Sequence, residues 1–258
     1  MTTATCVYCL VANRTKPRVR RSLKGLPRGG PLRLLEVDAG LWLVVSDVPL
    51  SRYGEAALKS GLADLDWVSR AAVAHETAVE SFRAADAVLP MKLFTIFETD
   101  ERARKHILAS RASVNRLVAR VSRMDEWGVR VAVRRPLADR SRPRAASASR
   151  PPAPSGSSYL QGKKAQRDSV VHRAQRARAV AADLFDELAA HAAEARRRPA
   201  TELPADGGPL VLDAALLVPR SGSTRLKNAA ARQARALLSE GYAVSLTGPW
   251  PPYSFMQD

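Results

Sequence analysis

Three short stretches carry residue types that could do chemistry. Cys6-Val-Tyr-Cys9 has the C-x-x-C spacing of a dithiol pair, His75-Glu76 begins a zinc-protease pattern, and Gly25-Leu-Pro-Arg-Gly-Gly-Pro31 is as rich in glycine as a phosphate loop. Each stops short. A redox pair wants its first thiol at a helix N-terminus, where the dipole favours thiolate, but Thr5 to Val11 reads as a β-strand, in which an offset of three sends side chains to opposite faces. A structural zinc would need two more ligands, and no second cysteine pair exists. The position four after His75 is Val79 rather than a second histidine. On a helix, His75 instead shares a face with Val68, Ala72, Val79 and Phe82, the setting of a hydrogen-bonded core histidine. The glycine stretch lacks the lysine-serine ending and following helix of a phosphate cradle, so it reads as a turn. His106, His172 and His191 are scattered, and there is no G-x-S-x-G elbow. The expectation is a protein with no catalytic centre, no cofactor and no metal.

Charge is the other chemical signal. Lys and Arg outnumber Asp and Glu by 41 to 25, a formal net charge of +16 that suits anionic partners. Residues 134–158 are crowded with Arg, Pro, Ser and Ala against one acid, Asp139, and read as a linker. Within it Arg140, Arg142, Arg144 and Arg150 are candidates for electrostatic contact. Nucleic-acid binding is the alternative reading, since Arg173, Arg176 and Arg178 cluster on one predicted helix. Against it, the aromatics are not interleaved with the basic patches, and no helix-turn-helix, RRM or zinc-finger pattern occurs. Two cysteines cannot build a disulfide framework. The N-terminal apolar run lacks a preceding basic region, and no apolar stretch approaches the roughly 20 residues a membrane helix needs. A soluble, cytoplasmic protein without a membrane partner is expected.

These residues must be positioned by a mixed fold. Thr5 to Val11, and a hairpin of Pro31 to Glu36 with Leu41 to Ser46 about Asp38-Ala39-Gly40, predict a small sheet. The stripe of Val68, Ala72, His75, Val79 and Phe82 predicts an amphipathic helix between Leu62 and Phe82. Leu93 to Phe97 reads as short and extended; a second helix begins at Asp100-Glu101, where acids suit the helix dipole, and runs to Val121. Trp127 to Val133 alternates as a strand. After the linker, a helix from Tyr159 to Arg198, a strand from Leu210 to Val218, a helix through Leu226 to Leu237 and a strand from Ala243 to Leu246 complete a β, α, β, α, β order. That order predicts an α+β architecture of two domains, 1–125 and 126–258, each a small sheet covered by helices, the second interrupted by the linker.

Aromatics are 5% of the chain, yet Trp250, Tyr253 and Phe255 stand within six residues, stiffened by Pro249, Pro251 and Pro252 after Gly248. Such a tail either folds back over the chain's own core or serves as a docking strip for another protein. These three aromatics are the candidate protein-binding residues.

The stretch from Leu246 to Phe255, Leu-Thr-Gly-Pro-Trp-Pro-Pro-Tyr-Ser-Phe, closely resembles the C-terminal signature of the gas vesicle GvpL/GvpF family. Further segments agree in order: Ala74-His75-Glu76 with Val88-Leu89-Pro90, Glu126-Trp-Gly-Val-Arg-Val131, Gly156-Ser-Ser-Tyr-Leu160, and Val211-Leu-Asp-Ala-Ala-Leu-Leu-Val218. The resemblance spans roughly Cys6 to Arg134 and Ser158 to Phe255. It departs at Lys92-Leu93-Phe94-Thr95, where family members tend to carry an Arg-Phe-Gly-Thr type of sequence. The resemblance implies ferredoxin-like features in the fold. It further implies an accessory or minor structural role in the gas vesicle, with the major shell protein and other accessory proteins as partners.

Overall fold

The β-branched run Thr3–Ala12 forms β1, the middle of a five-stranded antiparallel sheet in the computed structural model, which describes residues 2–20, 22–134, 156–199 and 209–256. The predicted hairpin forms from β2 (Arg33–Asp38) and β3 (Leu41–Pro49), with Gly40 at φ 75° in the turn, a backbone region open to glycine. β3 pairs with β1 on one side. On the other, β4 (Ala87–Pro90) pairs with Cys9 to Ala12 and β5 (Ile96–Phe97) with Thr5 and Cys6.

The β1–β3 register slips between Val7 and Cys9, leaving Tyr8 as an extra residue. This bulge resets the alternation, so Cys6, Tyr8, Cys9 and Val11 all join one buried cluster, contrary to the opposite faces that a regular strand would give the cysteines. Both remain free thiols, and burial pushes them up, Cys6 to about 12. That is the reverse of a redox thiolate. The Tyr8 hydroxyl shares a hydrogen bond of 2.8 Å with Ser46 Oγ and accepts one of 2.7 Å from the Leu26 backbone N–H. Gly25 lies so close that a Cβ there would stand 2.1 Å from this hydroxyl. The glycine turn is therefore a packing device.

α1 (Leu50–Tyr53) and α2 (Glu55–Gly61) follow β3, and α3 (Leu65–Glu80) is the predicted amphipathic helix. The Asp64 carboxylate accepts the Trp67 N–H at 3.0 Å, capping α3. Its buried residues are Trp67, Ala71, His75, Ala78 and Val79. His75 is the core histidine expected: it is buried, Nε2 lies 3.1 Å from the Met91 carbonyl, and burial lowers its pKa. The single helix predicted from Asp100 breaks at Ser110 into α4 (Asp100–Ala109) and α5 (Arg111–Val121). Asp100 and Glu101 occupy the first turn of α4, and Arg33 binds both oxygens of Asp100 at 2.6 and 2.8 Å, holding this carboxyl below its ordinary range.

At the departure from the family pattern, Phe94 takes the left-handed conformation, φ 63°. A bulky residue adopts it only when its surroundings compensate. Here Phe94 stacks on Trp67 with centroids 5.1 Å apart and planes 14° apart.

A second sheet, of order β7-β8-β6-β9, is built from β6 (Met124–Val133), β7 (Glu194–Arg197), β8 (Leu210–Pro219) and β9 (Tyr242–Trp250), with helices α6 (Gly156–Ala189) and α7 (Ser223–Ser239). The fold class is thus α+β with two antiparallel sheets. The α6 helix stops at Ala189, short of the predicted Arg198, because Glu194 to Arg197 form a strand instead. Arg198 donates from Nε and Nη2 to the buried Asp213 of β8 at 2.9 and 2.6 Å, and Arg197 lies 4.4 Å over the Phe185 ring. Arginines that read as a solvated helix end are spent on holding a sheet edge. Two compact units result: Met1–Glu126 with Leu217–Arg220 and Gly248–Asp258, and Trp127–Leu216 with Ser221–Thr247. No helix among the described residues is long and apolar enough to cross a membrane.

Candidate functional site

The aromatic tail begins where β9 runs out of backbone donors. Pro249, Pro251 and Pro252 have no N–H to offer a ladder, and Gly248 takes φ 124°, open only to glycine. The chain then closes a 3-10 turn over Tyr253–Phe255, with the Tyr253 N–H donating to the Pro251 carbonyl at 2.8 Å and the Phe255 N–H to Pro252 at 3.1 Å. A polar anchor holds this turn. Ser254 donates its backbone N–H and its hydroxyl to the two carboxylate oxygens of Glu126, each at 2.7 Å. Charge-assisted hydrogen bonds of this kind are about twice as strong as neutral ones.

The clip divides the three candidate aromatics. Phe255 is fully buried, as are Pro251 and Pro252 beside it, so it acts as an apolar plug. Trp250 and Tyr253 stay at the surface, 36% and 39% exposed. The Tyr253 phenol is pushed well above its ordinary pKa, first by burial and then by the negative charge of Glu76, with Glu80 and Glu126 adding to it. It therefore stays protonated and able to donate at neutral pH. Glu76 and Glu80 are exposed one turn apart on α3. The tail thus offers aromatic surface beside acidic side chains in a chain that is strongly basic.

Arg140, Arg142, Arg144 and Arg150 lie outside the described residues. No group of three His, Cys, Asp or Glu among the described residues is placed to hold a metal. The anchor was hidden from sequence reasoning: Glu126 and Ser254 are 128 residues apart. Its outward sign is the acidic pair Asp125-Glu126 near the start of a largely apolar strand.

Comparison with known proteins places this geometry. The family described as gas vesicle synthesis protein GvpL/GvpF matches residues 4–257. The chain belongs to the GvpL/GvpF family. A curated relative, gas vesicle protein L of Streptomyces sp. (strain CB03234), is 32% identical over 229 residues, 88% of this chain and 84% of that one. Two crystal structures of GvpF share the fold. The one from Anabaena sp. PCC7120 has a TM-score of 0.67 at 15% identity, covering 99% of this chain and 97% of its own. The one from Microcystis aeruginosa has a TM-score of 0.66 at 14% identity, covering 99% of each. Membership in GvpL/GvpF makes this a gas vesicle protein, of a structural or accessory rather than an enzymatic family. The nucleic-acid alternative gains no support from these matches.

Proposed function

We propose that this protein is an accessory or minor structural component of the gas vesicle that binds the major shell protein and other accessory proteins during assembly. The observation that carries the reading is the tail clip, which spends Phe255 and Ser254 on its own anchorage while leaving Trp250 and Tyr253 half outside. Exposed aromatics on a rigid support are the side chains that most often dominate protein interfaces. Captured shell subunits would have their apolar faces shielded before polymerisation. The arginines of residues 134–158, among them Arg140, Arg142, Arg144 and Arg150, add attraction to acidic partners.

The test is pull-down and titration of the shell protein with Trp250→Ala/Tyr253→Ala. Loss of at least about 2 kcal/mol of binding, the threshold of a hot spot, with cooperative unfolding retained, is the expected result. A double variant that unfolds instead assigns these residues to the core, and unchanged binding removes the tail from the interface. Raising salt should weaken binding through the basic segment, because exposed charges are screened beyond about 8 Å at physiological ionic strength.

A further inference from the structure

Three arginines remote in sequence line one cleft of about 490 Å³ in the first unit: Arg20 between β1 and β2, Arg83 after α3, and Arg220 after β8. Behind them is Asp125 of β6, only 3% exposed. Arg83 Nη1 donates to Asp125 Oδ2 at 3.1 Å, whereas Arg220 Nε stands 3.4 Å from Oδ1 without forming a hydrogen bond, leaving both atoms buried and unsatisfied. One carboxylate therefore answers two guanidinium groups. Arg20 is exposed and makes no ion pair with a described residue. The hydroxyls of Thr77 and Ser81, also in the lining, already donate to the carbonyls of Val73 and Ala78, each at 2.7 Å. The donors left for a ligand are the arginines.

We propose that this cleft is a binding site for a phosphate group, free or carried by a small molecule. Three guanidinium groups set against Asp125 and Glu80 leave one positive charge. A phosphate carries about −1.5 to −2 at neutral pH and presents three acceptor oxygens, one for each arginine, while a carboxylate presents two. The planar fork of arginine also matches two phosphate oxygens at once. Glu80, exposed in the same lining, opposes the ligand and sets a ceiling on affinity. The assignment does not depend on the gas vesicle role.

Calorimetric titration of the full chain with inorganic phosphate and with ADP, against sodium chloride at equal ionic strength, tests the site. Saturable binding is expected for phosphate or ADP and not for chloride. Arg20→Gln should weaken it about tenfold, the scale of one charge-assisted contact, with the ligand-free melting temperature unchanged because the Arg20 side chain makes no ion pair with a described residue. Glu80→Gln should tighten binding. ADP binding more tightly than phosphate would assign the phosphate to a carrier molecule; equal or weaker ADP binding would assign free phosphate. Absence of saturation with both ligands, an equal response to chloride, or Arg20→Gln binding like the parent protein would overturn the proposal.

Discussion

Asp125 and Glu126 are consecutive on β6, both almost fully buried, and meet opposite fates because successive strand residues face opposite ways. Glu126 is satisfied by its own chain, with both oxygens receiving hydrogen bonds from Ser254. Asp125 is held by two arginines but one of its oxygens has no hydrogen bond, and its partners open onto a cleft. A buried carboxylate alone therefore says little about function. A closed set of partners marks an anchor, and an open set marks a place where something else can join.

Variants on each side put this contrast at risk. Phe255→Ala empties the apolar half of the clip and should cost about 3–5 kcal/mol, as for other buried phenylalanines, measured by urea unfolding. A loss below about 1 kcal/mol would mean that the tail is not part of the core. Glu126→Ala should come next at about 1.5–3 kcal/mol, the value of hydrogen bonds to a charged group, and should expose the tail to limited proteolysis. Asp125→Asn should cost less, about 1 kcal/mol, because Arg83 and Arg220 reach solvent, and phosphate should add more stability to it than to the parent, because one negative charge fewer offsets the arginines. If Asp125→Asn proves the more damaging of the two carboxylate variants, the contrast fails.

The smallest effect is a pH baseline. The pKa of His75 is lowered in the folded protein, so below its ordinary value near 6.5 the unfolded chain takes up a proton that the folded one refuses, and stability falls on acidification. Between pH 7 and 6 the loss should stay under about 0.7 kcal/mol. His75→Phe should remove that part of the slope in equilibrium unfolding curves.

Periodicity made much of the fold legible. The strands at Thr3–Ala12 and Leu210–Pro219, the hairpin at Gly40 and the helix α3 follow from apolar spacing, although the buried face of α3 is turned to Trp67 and Ala71 rather than Val68 and Ala72. Elements too short to express a period escaped: α1 and β7 have four residues each. The bulge at Tyr8 escaped because one inserted residue leaves composition unchanged while resetting every later side chain. Phe94 takes a left-handed conformation where the family pattern tends to carry glycine, and only the tertiary structure brings the Trp67 face against it. Of the candidate site, the aromatic density of the tail announced Trp250, Tyr253 and Phe255, but which would face inward depended on Glu126. Arg20, Arg83 and Arg220 looked like ordinary surface charge, since only tertiary folding brings them to one cleft.

The hydrogen bonds between Ser254 and Glu126 also set a timetable. The two residues are separated by 128 positions, which at about 5–20 residues per second is about 6–25 s of synthesis. Through that interval the nascent first unit has a Glu126 carboxylate that has yet to meet Ser254, and it lacks Phe255. Its sheet is ready long before its final stitch, and a ribosome that stalls in between presents the cell with an unfinished surface.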